Sequence, residues 1–118
     1  MPKADDSQRD KDCIQHMLKY CLDLEDILHR TDGSRERFME DRMYQHAATM
    51  CILQLGELAK RLTADFRETH TDIPWSLIAR TRDIYVHHYG SVDFEMVWET
   101  AVHDIPMLKT FCETILNQ

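Results

Sequence analysis

Glycine and proline are scarce in this chain, with three of each in 118 residues. That is too few for a many-turned β fold, whose tight connections rely on them. No apolar run approaches the roughly 18 residues of a membrane-crossing helix. Residues 1–12 contain no apolar stretch, so neither a span nor a signal peptide is expected, and a cytoplasmic location is. Cys13, Cys21, Cys51 and Cys112 form no Cys-x-x-Cys pair. They read as small buried hydrophobes in a reducing compartment rather than a disulfide framework. Seven histidines are present, yet no His-x3-His or His-Glu-x-x-His spacing occurs, so no metal is expected. Gly-rich phosphate loops and a nucleophilic-serine elbow are missing as well, and no cofactor is implied. An excess of positive charge is also lacking. The formal charge is −7, which argues against a broad basic surface for nucleic acid. The middle of the chain is nonetheless balanced. Residues 46–90 hold five basic and five acidic side chains together with His46, His70, His87 and His88. A small RNA end or loop fits such a region better than a long duplex.

What is abundant favours helices. Met, Leu, Ala, Glu, Lys and Arg are plentiful, and apolar residues make up 43% of the chain. The length suits one domain, residues 1–118, with 1–7 as a flexible tail. Ile14, Met17, Leu18, Cys21, Leu24 and Leu28 recur at helical spacing and predict a helix over about 8–30, ended by Thr31-Asp32-Gly33-Ser34. A second helix is predicted over about 35–62, apolar on two sides at its start. One stripe begins at Tyr44, Ala48 and Cys51; the other begins at Met43, Ala47 and Met50 and continues into Gln54, Glu57 and Arg61. Residues 63–72 predict a short helical turn and a loop. Pro74 suits the first turn of a third long helix, and Gly90 suits a left-handed stop. Asp93 is the expected cap of a last helix whose buried face is Val97, Ala101, Ile105, Leu108, Cys112 and Ile115, kinked at Pro106. The predicted fold is an all-α up-and-down bundle of about four long helices plus a short helical turn.

The chemistry concentrates at Arg82-Asp83-Ile84-Tyr85-Val86-His87-His88-Tyr89. Polar groups on a helix face that should pack are costly unless satisfied, so they mark a structural network or a site. Arg82 either snorkels and pairs with a carboxylate, Glu57 being a candidate, or it clamps a phosphate with its fork of donors. His87 follows Asp83 by one turn, so Asp83 is placed to orient its imidazole. Such a histidine is structural or it moves protons. His88 is its rival and falls in phase with Leu77 and Ile84, as a packing residue or an RNA contact. Tyr89 is either a buried, hydrogen-bonded tyrosine or part of the site. On a continuous helix its ring lies within about 20° of Arg82, whereas Arg82 and His87 stand some 140° apart. A two-fold axis beside this helix, with Ile78 and Tyr85 as apolar contact, would let Arg82 of one chain face His87 of another.

The Arg-x4-His-x-Tyr pattern resembles that of HEPN toxins of the HepT kind, the toxin half of the HepT/MntA toxin–antitoxin pair. The resemblance extends to Gln54–Leu62, to Ile73-Pro74-Trp75, and to Val92–Trp98 followed by Asp104-Ile105-Pro106, over roughly residues 13–116. It implies a HEPN-like bundle, a homodimer and a metal-independent ribonuclease acting on tRNA or mRNA. Arg82 and His87 would be catalytic, with Asp83 and Glu57 supporting them. Tyr89 would be the acceptor of AMP from a cognate MntA-like minimal nucleotidyltransferase antitoxin. The family usually has Asn after the motif arginine; here it is Asp83, which adds a negative charge beside a phosphate site. That charge, and the net −7, leave an alternative function: a non-catalytic helical module that docks a minimal nucleotidyltransferase.

Overall fold

A computed structural model describes residues 4–118. Among the described residues there is no strand. The helices are α1 (Ala4–Arg30), α2 (Arg35–Glu40), α3 (Arg42–Arg61), α4 (Ala64–Thr69), α5 (Trp75–His87), α6 (Phe94–Glu99) and α7 (Ile105–Leu116). A 3₁₀ turn covers Tyr89–Ser91, and a π-helical turn over Thr100–Asp104 joins α6 to α7. The all-α expectation holds. Four long arms (α1, α3, α5 and the α6–α7 composite) pack in the spatial order α5, α3, α1, α7. Asp10 of α1 bonds Thr63, just past the end of α3, while Glu25 of α1 meets Lys109 of α7, so both neighbours run antiparallel to α1.

The buried face of α1 is Cys13, Ile14, Met17, Cys21, Leu24 and Ile27, one stripe at spacings of three and four. The helix starts earlier than expected. Residues 4–7, predicted as tail, are helical, and residues 1–3 of that prediction lie outside the described residues. Asp5 and Asp6 sit in the first turn, where the helix dipole favours negative charge. The buried Asp10 carboxylate then ties this end down, accepting from the Thr63 backbone N–H at 2.8 Å and from its hydroxyl at 2.7 Å. The far end closes in a left-handed reversal. Asp32 has φ 53° and Gly33 has φ 66°, and the Gly33 N–H reaches back to the Leu28 carbonyl.

The single helix predicted over 35–62 is two. Asp41 stands in extended geometry between α2 and α3, and its carboxylate accepts from the N–H groups of Met43 and Tyr44. A short side chain that caps a new helix competes with continuation of the old one. The kink seats Phe38 against Trp98, ring centroids 5.2 Å apart. The second stripe of α3 also differs from expectation, because Met43 and Met50 remain exposed. The additional buried side comes instead from Ile52, Leu53, Gly56 and Ala59, further along, where α5 packs.

Pro74 stands just before α5 rather than in its first turn. The helix ends before Gly90, which does not adopt the left-handed conformation predicted for it. His88 is already off helical geometry, and the chain continues as a 3₁₀ turn in which Ser91 donates to the His88 carbonyl. Asp93 caps α6 as expected, accepting from Glu95 N–H. The predicted kink at Pro106 takes the form of the π turn, in which the Ile105 N–H bonds the Thr100 carbonyl just before the proline. All four cysteines are free and buried. Burial pushes the Cys21 and Cys112 thiols up to about 12 and Cys51 up to about 11, so these remain protonated and inert at neutral pH.

Candidate active site

The contact between α3 and α5 carries the polar residues singled out above. It is antiparallel, since Lys60 meets Asp83 near one end and His46 meets Tyr89 at the other. The two helices approach closely because Gly56 has no side chain. A Cβ there would stand 2.2 Å from the Arg82 Cβ and 2.9 Å from the Ile78 carbonyl oxygen.

Arg82 therefore lies directly across from Gly56, and its guanidinium sits between two carboxylates. One nitrogen donates to Asp83 Oδ1 at 2.9 Å, and the other meets Glu57 Oε2 at 3.3 Å. Lys60 donates to the same Asp83 oxygen at 3.3 Å, and Arg61 stands 3.9 Å from Glu57. Three cations thus share two carboxylates, a local positive excess in an acidic chain. The arginine side chain is 27% exposed, enough for an anion to reach it from solvent. Hydrogen bonds from Arg82 and then from Lys60 hold the Asp83 carboxyl below its ordinary range, so it is ionised at neutral pH. Asp83 acts here as a bridge that keeps Arg82 and Lys60 side by side.

His87 and Tyr89 lie elsewhere. His87 is exposed in the last turn of α5 and makes no side-chain hydrogen bond or ion pair among the described residues. Asp83, expected to orient it, is engaged by Arg82 and Lys60 instead. Tyr89 is not buried, and it is not stacked along the helix over Arg82, because α5 ends two residues before it. Its hydroxyl lies 2.8 Å from His46 Nδ1. His46 and Gly56 are ten positions apart on α3, about 15 Å along the axis, so Tyr89 and Arg82 mark two ends of one helix–helix seam. Ile78 and Tyr85, expected on an outer contact face, pack into the chain's own core. The apolar residues that α5 does expose are Leu77 and Ile84 on one face and Val86 on the opposite one.

Sequence reasoning missed Lys60 and His46, which gain their roles only from partners 23 and 43 positions away. Gly56 gave a signal, a glycine in mid-helix, which marks close packing. A cavity of about 220 Å³ lies beside this seam, lined by Ile52, Leu55, Ile73, Leu77, Ile78 and Leu108 among others. Its only ionisable lining groups are Asp72 and Asp104, so it lacks a cation for phosphate and a proton carrier. Among the described residues no three His, Cys, Asp or Glu side chains gather as a metal-ligand cluster. None of the described helices is long and apolar enough to cross a membrane.

A family model described as ribonuclease HepT-like matches residues 17–115. A Methanocaldococcus jannaschii protein, provisionally named an RNase, is 34% identical over 118 residues, covering 99% of this chain and 96% of its own. A second provisionally named RNase, from Caldanaerobacter subterraneus subsp. tengcongensis, is 34% identical over 106 residues, 89% of this chain and 92% of its own. A Thermococcus cleftensis protein provisionally named ribonuclease HepT is 39% identical over 74 residues, 63% of this chain and 67% of its own. No solved structure matches.

Proposed function

The chain belongs to the HepT-like ribonuclease family, and on that footing we propose that it is the toxin of a toxin–antitoxin pair, cutting tRNA or mRNA without a metal ion. The observation that carries this is the Arg82 guanidinium, held between Glu57 and Asp83 and still open to solvent. A planar fork fixed at two points is pre-oriented for a phosphodiester, and it stabilises the charge that grows on phosphorus oxygens in the transition state. Lys60 adds a second cation a few ångströms away.

His87 supplies proton transfer. It takes the proton of a ribose 2′-hydroxyl while that oxygen bonds to phosphorus, or it gives one to the 5′-oxygen as the P–O5′ bond breaks. Because His87 is exposed and apart from the Arg82 cluster in one chain, the working site is a dimer's, with Arg82 of one protomer facing His87 of its partner. Leu77 and Ile84, two turns apart on one face of α5, supply exposed apolar surface for that contact. A cognate MntA-like minimal nucleotidyltransferase silences the toxin by transferring AMP to the Tyr89 hydroxyl.

The test is cleavage of total tRNA and of an mRNA by the purified chain, with and without a chelator, beside Arg82→Ala and His87→Ala. The expected result is chelator-resistant cutting, with losses of roughly 10²-fold or more in each variant. The docking-module alternative draws on the same cluster, since two carboxylates partly neutralise Arg82. Failure of the wild-type chain to cut any RNA, together with stable binding to the nucleotidyltransferase, would decide for that module.

A further inference from the structure

Tyr89 differs from the other tyrosines in what stands at its hydroxyl. Among the described residues it is the one tyrosine bonded to a histidine ring, with Oη 2.8 Å from His46 Nδ1. The two rings lie within 19° of parallel, centroids 5.8 Å apart, and Phe94 meets the same imidazole edge-on at 6.0 Å. His46 is therefore held by aromatic neighbours from beyond α5, and its orientation toward the phenol is built in. Tyr85, by contrast, is buried, and desolvation followed by the charge of Asp93 makes its hydroxyl harder to ionise.

Phenols keep their proton at neutral pH and attack poorly unless a base takes it as the new bond forms. From this geometry we infer that His46 is the proton acceptor that makes Tyr89 a nucleophile toward the α-phosphorus of ATP. The inference rests on the reading of Tyr89 as the AMP acceptor and assigns part of that chemistry to the toxin itself. With the ring proton on Nε2, Nδ1 accepts the Tyr89 O–H. The Oη–P bond forms, the bond from the α-phosphorus to the bridging oxygen breaks, pyrophosphate leaves with that electron pair, and the phenolic proton passes to His46. The imidazolium then sits beside a new anionic phosphodiester, an attraction that favours the product.

The first experiment needs no partner. The full chain is treated with phenylmethanesulfonyl fluoride, which a phenolate attacks at sulfur with loss of fluoride, and labelling of each tyrosine is timed by mass spectrometry. Tyr89 should label at least about tenfold faster than Tyr44, in keeping with general-base assistance. His46→Ala should bring Tyr89 down to the rate of Tyr44, and added imidazole should restore it. His46→Asn keeps an acceptor near the hydroxyl but cannot take a proton, and it should stay slow. Helical content of each variant is checked by circular dichroism, and Tyr89→Phe gives the background. Unchanged Tyr89 labelling in His46→Ala overturns the role of His46. The second experiment supplies ATP and the cognate nucleotidyltransferase. AMP on Tyr89 of the wild type, formed at least tenfold more slowly in His46→Ala, supports the inference. AMP on another residue, or none, overturns the acceptor reading itself, so the two failures separate.

Discussion

Gly56 and Arg82 touch backbone to side chain, so closely that a β-carbon on Gly56 would stand 2.2 Å from the β-carbon of Arg82. The phosphate-binding candidate is thus set by a helix crossing as well as by its ion pairs. The obstructing atoms are a Cβ and a backbone carbonyl, neither of which can swing aside. Gly56→Ala should force α3 and α5 apart, costing about 1–3 kcal/mol of stability as overpacking does, despite the better helix propensity of alanine. Chemical denaturation should show the loss. RNA cleavage should fall further than stability alone explains, because Arg82 moves with α5. A variant that is as stable and as active as the parent would show that the seam is looser than its geometry indicates.

Asp83 offers a test of charge. Asp83→Asn keeps the size of the side chain, removes one of two anions from the Arg82–Lys60 cluster and introduces the residue usual in the family. Cleavage at low substrate should rise severalfold, and the gain should shrink as salt screens the cluster. The pH dependence has a definite sign. The folded-state carboxyl is held below its ordinary value by Arg82 and Lys60, so its contribution to stability is present above the unfolded-state value and fades as pH falls through the folded one. Acid unfolding of wild type and Asp83→Asn should therefore differ at neutral pH and converge below the usual carboxylate range. The group is exposed, so the gap should be small and salt-sensitive. Divergence growing toward acid would reverse the assignment.

Much of this fold was legible because apolar spacing alone carries it. The buried stripes of α1 and α7 keep Ile14, Met17, Cys21, Leu24, Ile105, Leu108 and Cys112 as expected, with Cys13 and Ile27 buried in place of the half-buried Leu18 and Leu28, and Asp93 caps the helix it was expected to cap. The break at Asp41 was hidden because the stripes that start at Met43 and Tyr44 show which faces of a helix are apolar and not where the helix begins. A capping carboxylate ahead of such stripes gives no warning of which helix it serves. Tyr89 was misplaced for a related reason. A helix extended to Gly90 carries it over Arg82, whereas the chain leaves helical geometry at His88 with no glycine to mark the exit. Arg82 and its partner Glu57 could be matched by phase and charge. Lys60 and His46 could not, because surface residues become site residues only through partners distant in sequence.

Control by nucleotide transfer predicts a change in mass. Co-expression with the cognate nucleotidyltransferase should add whole AMP units to the chain, and Tyr89→Phe should remove that addition. The modified protein should no longer cut RNA, through bulk and negative charge placed at the His46 end of the seam. Tyr89→Phe should stay toxic in a host even when the antitoxin is present. AMP found on Tyr44 or Tyr85 by peptide mapping would contradict the assignment, and Tyr85 is disfavoured in advance by its burial.

The separation of Arg82 from His87 leads to the last prediction. Arg82 faces α3, where it is tied to Glu57 and Asp83, and His87 faces solvent without a side-chain partner among the described residues. Five residues along a helix set Arg82 and His87 some 140° apart, so one chain points them to different sides of α5. A two-fold axis beside α5 removes the difficulty, because it sets the seam of one protomer against the exposed face of the other. The exposed Leu77 and Ile84, on one face of α5, give that contact apolar area, and aspartate at Ile84 should weaken it. Arg82→Ala and His87→Ala, each inactive, are purified separately and mixed under conditions that exchange subunits. A mixed dimer carries one site with both residues intact, so at equal mixing about half the dimers should regain one of their two sites, near a quarter of wild-type activity. The Ile84→Asp change placed in both variants should abolish that recovery while leaving helical content unchanged. A site complete within one chain gives no recovery at any ratio, and a monomer by light scattering at working concentration rules the shared site out.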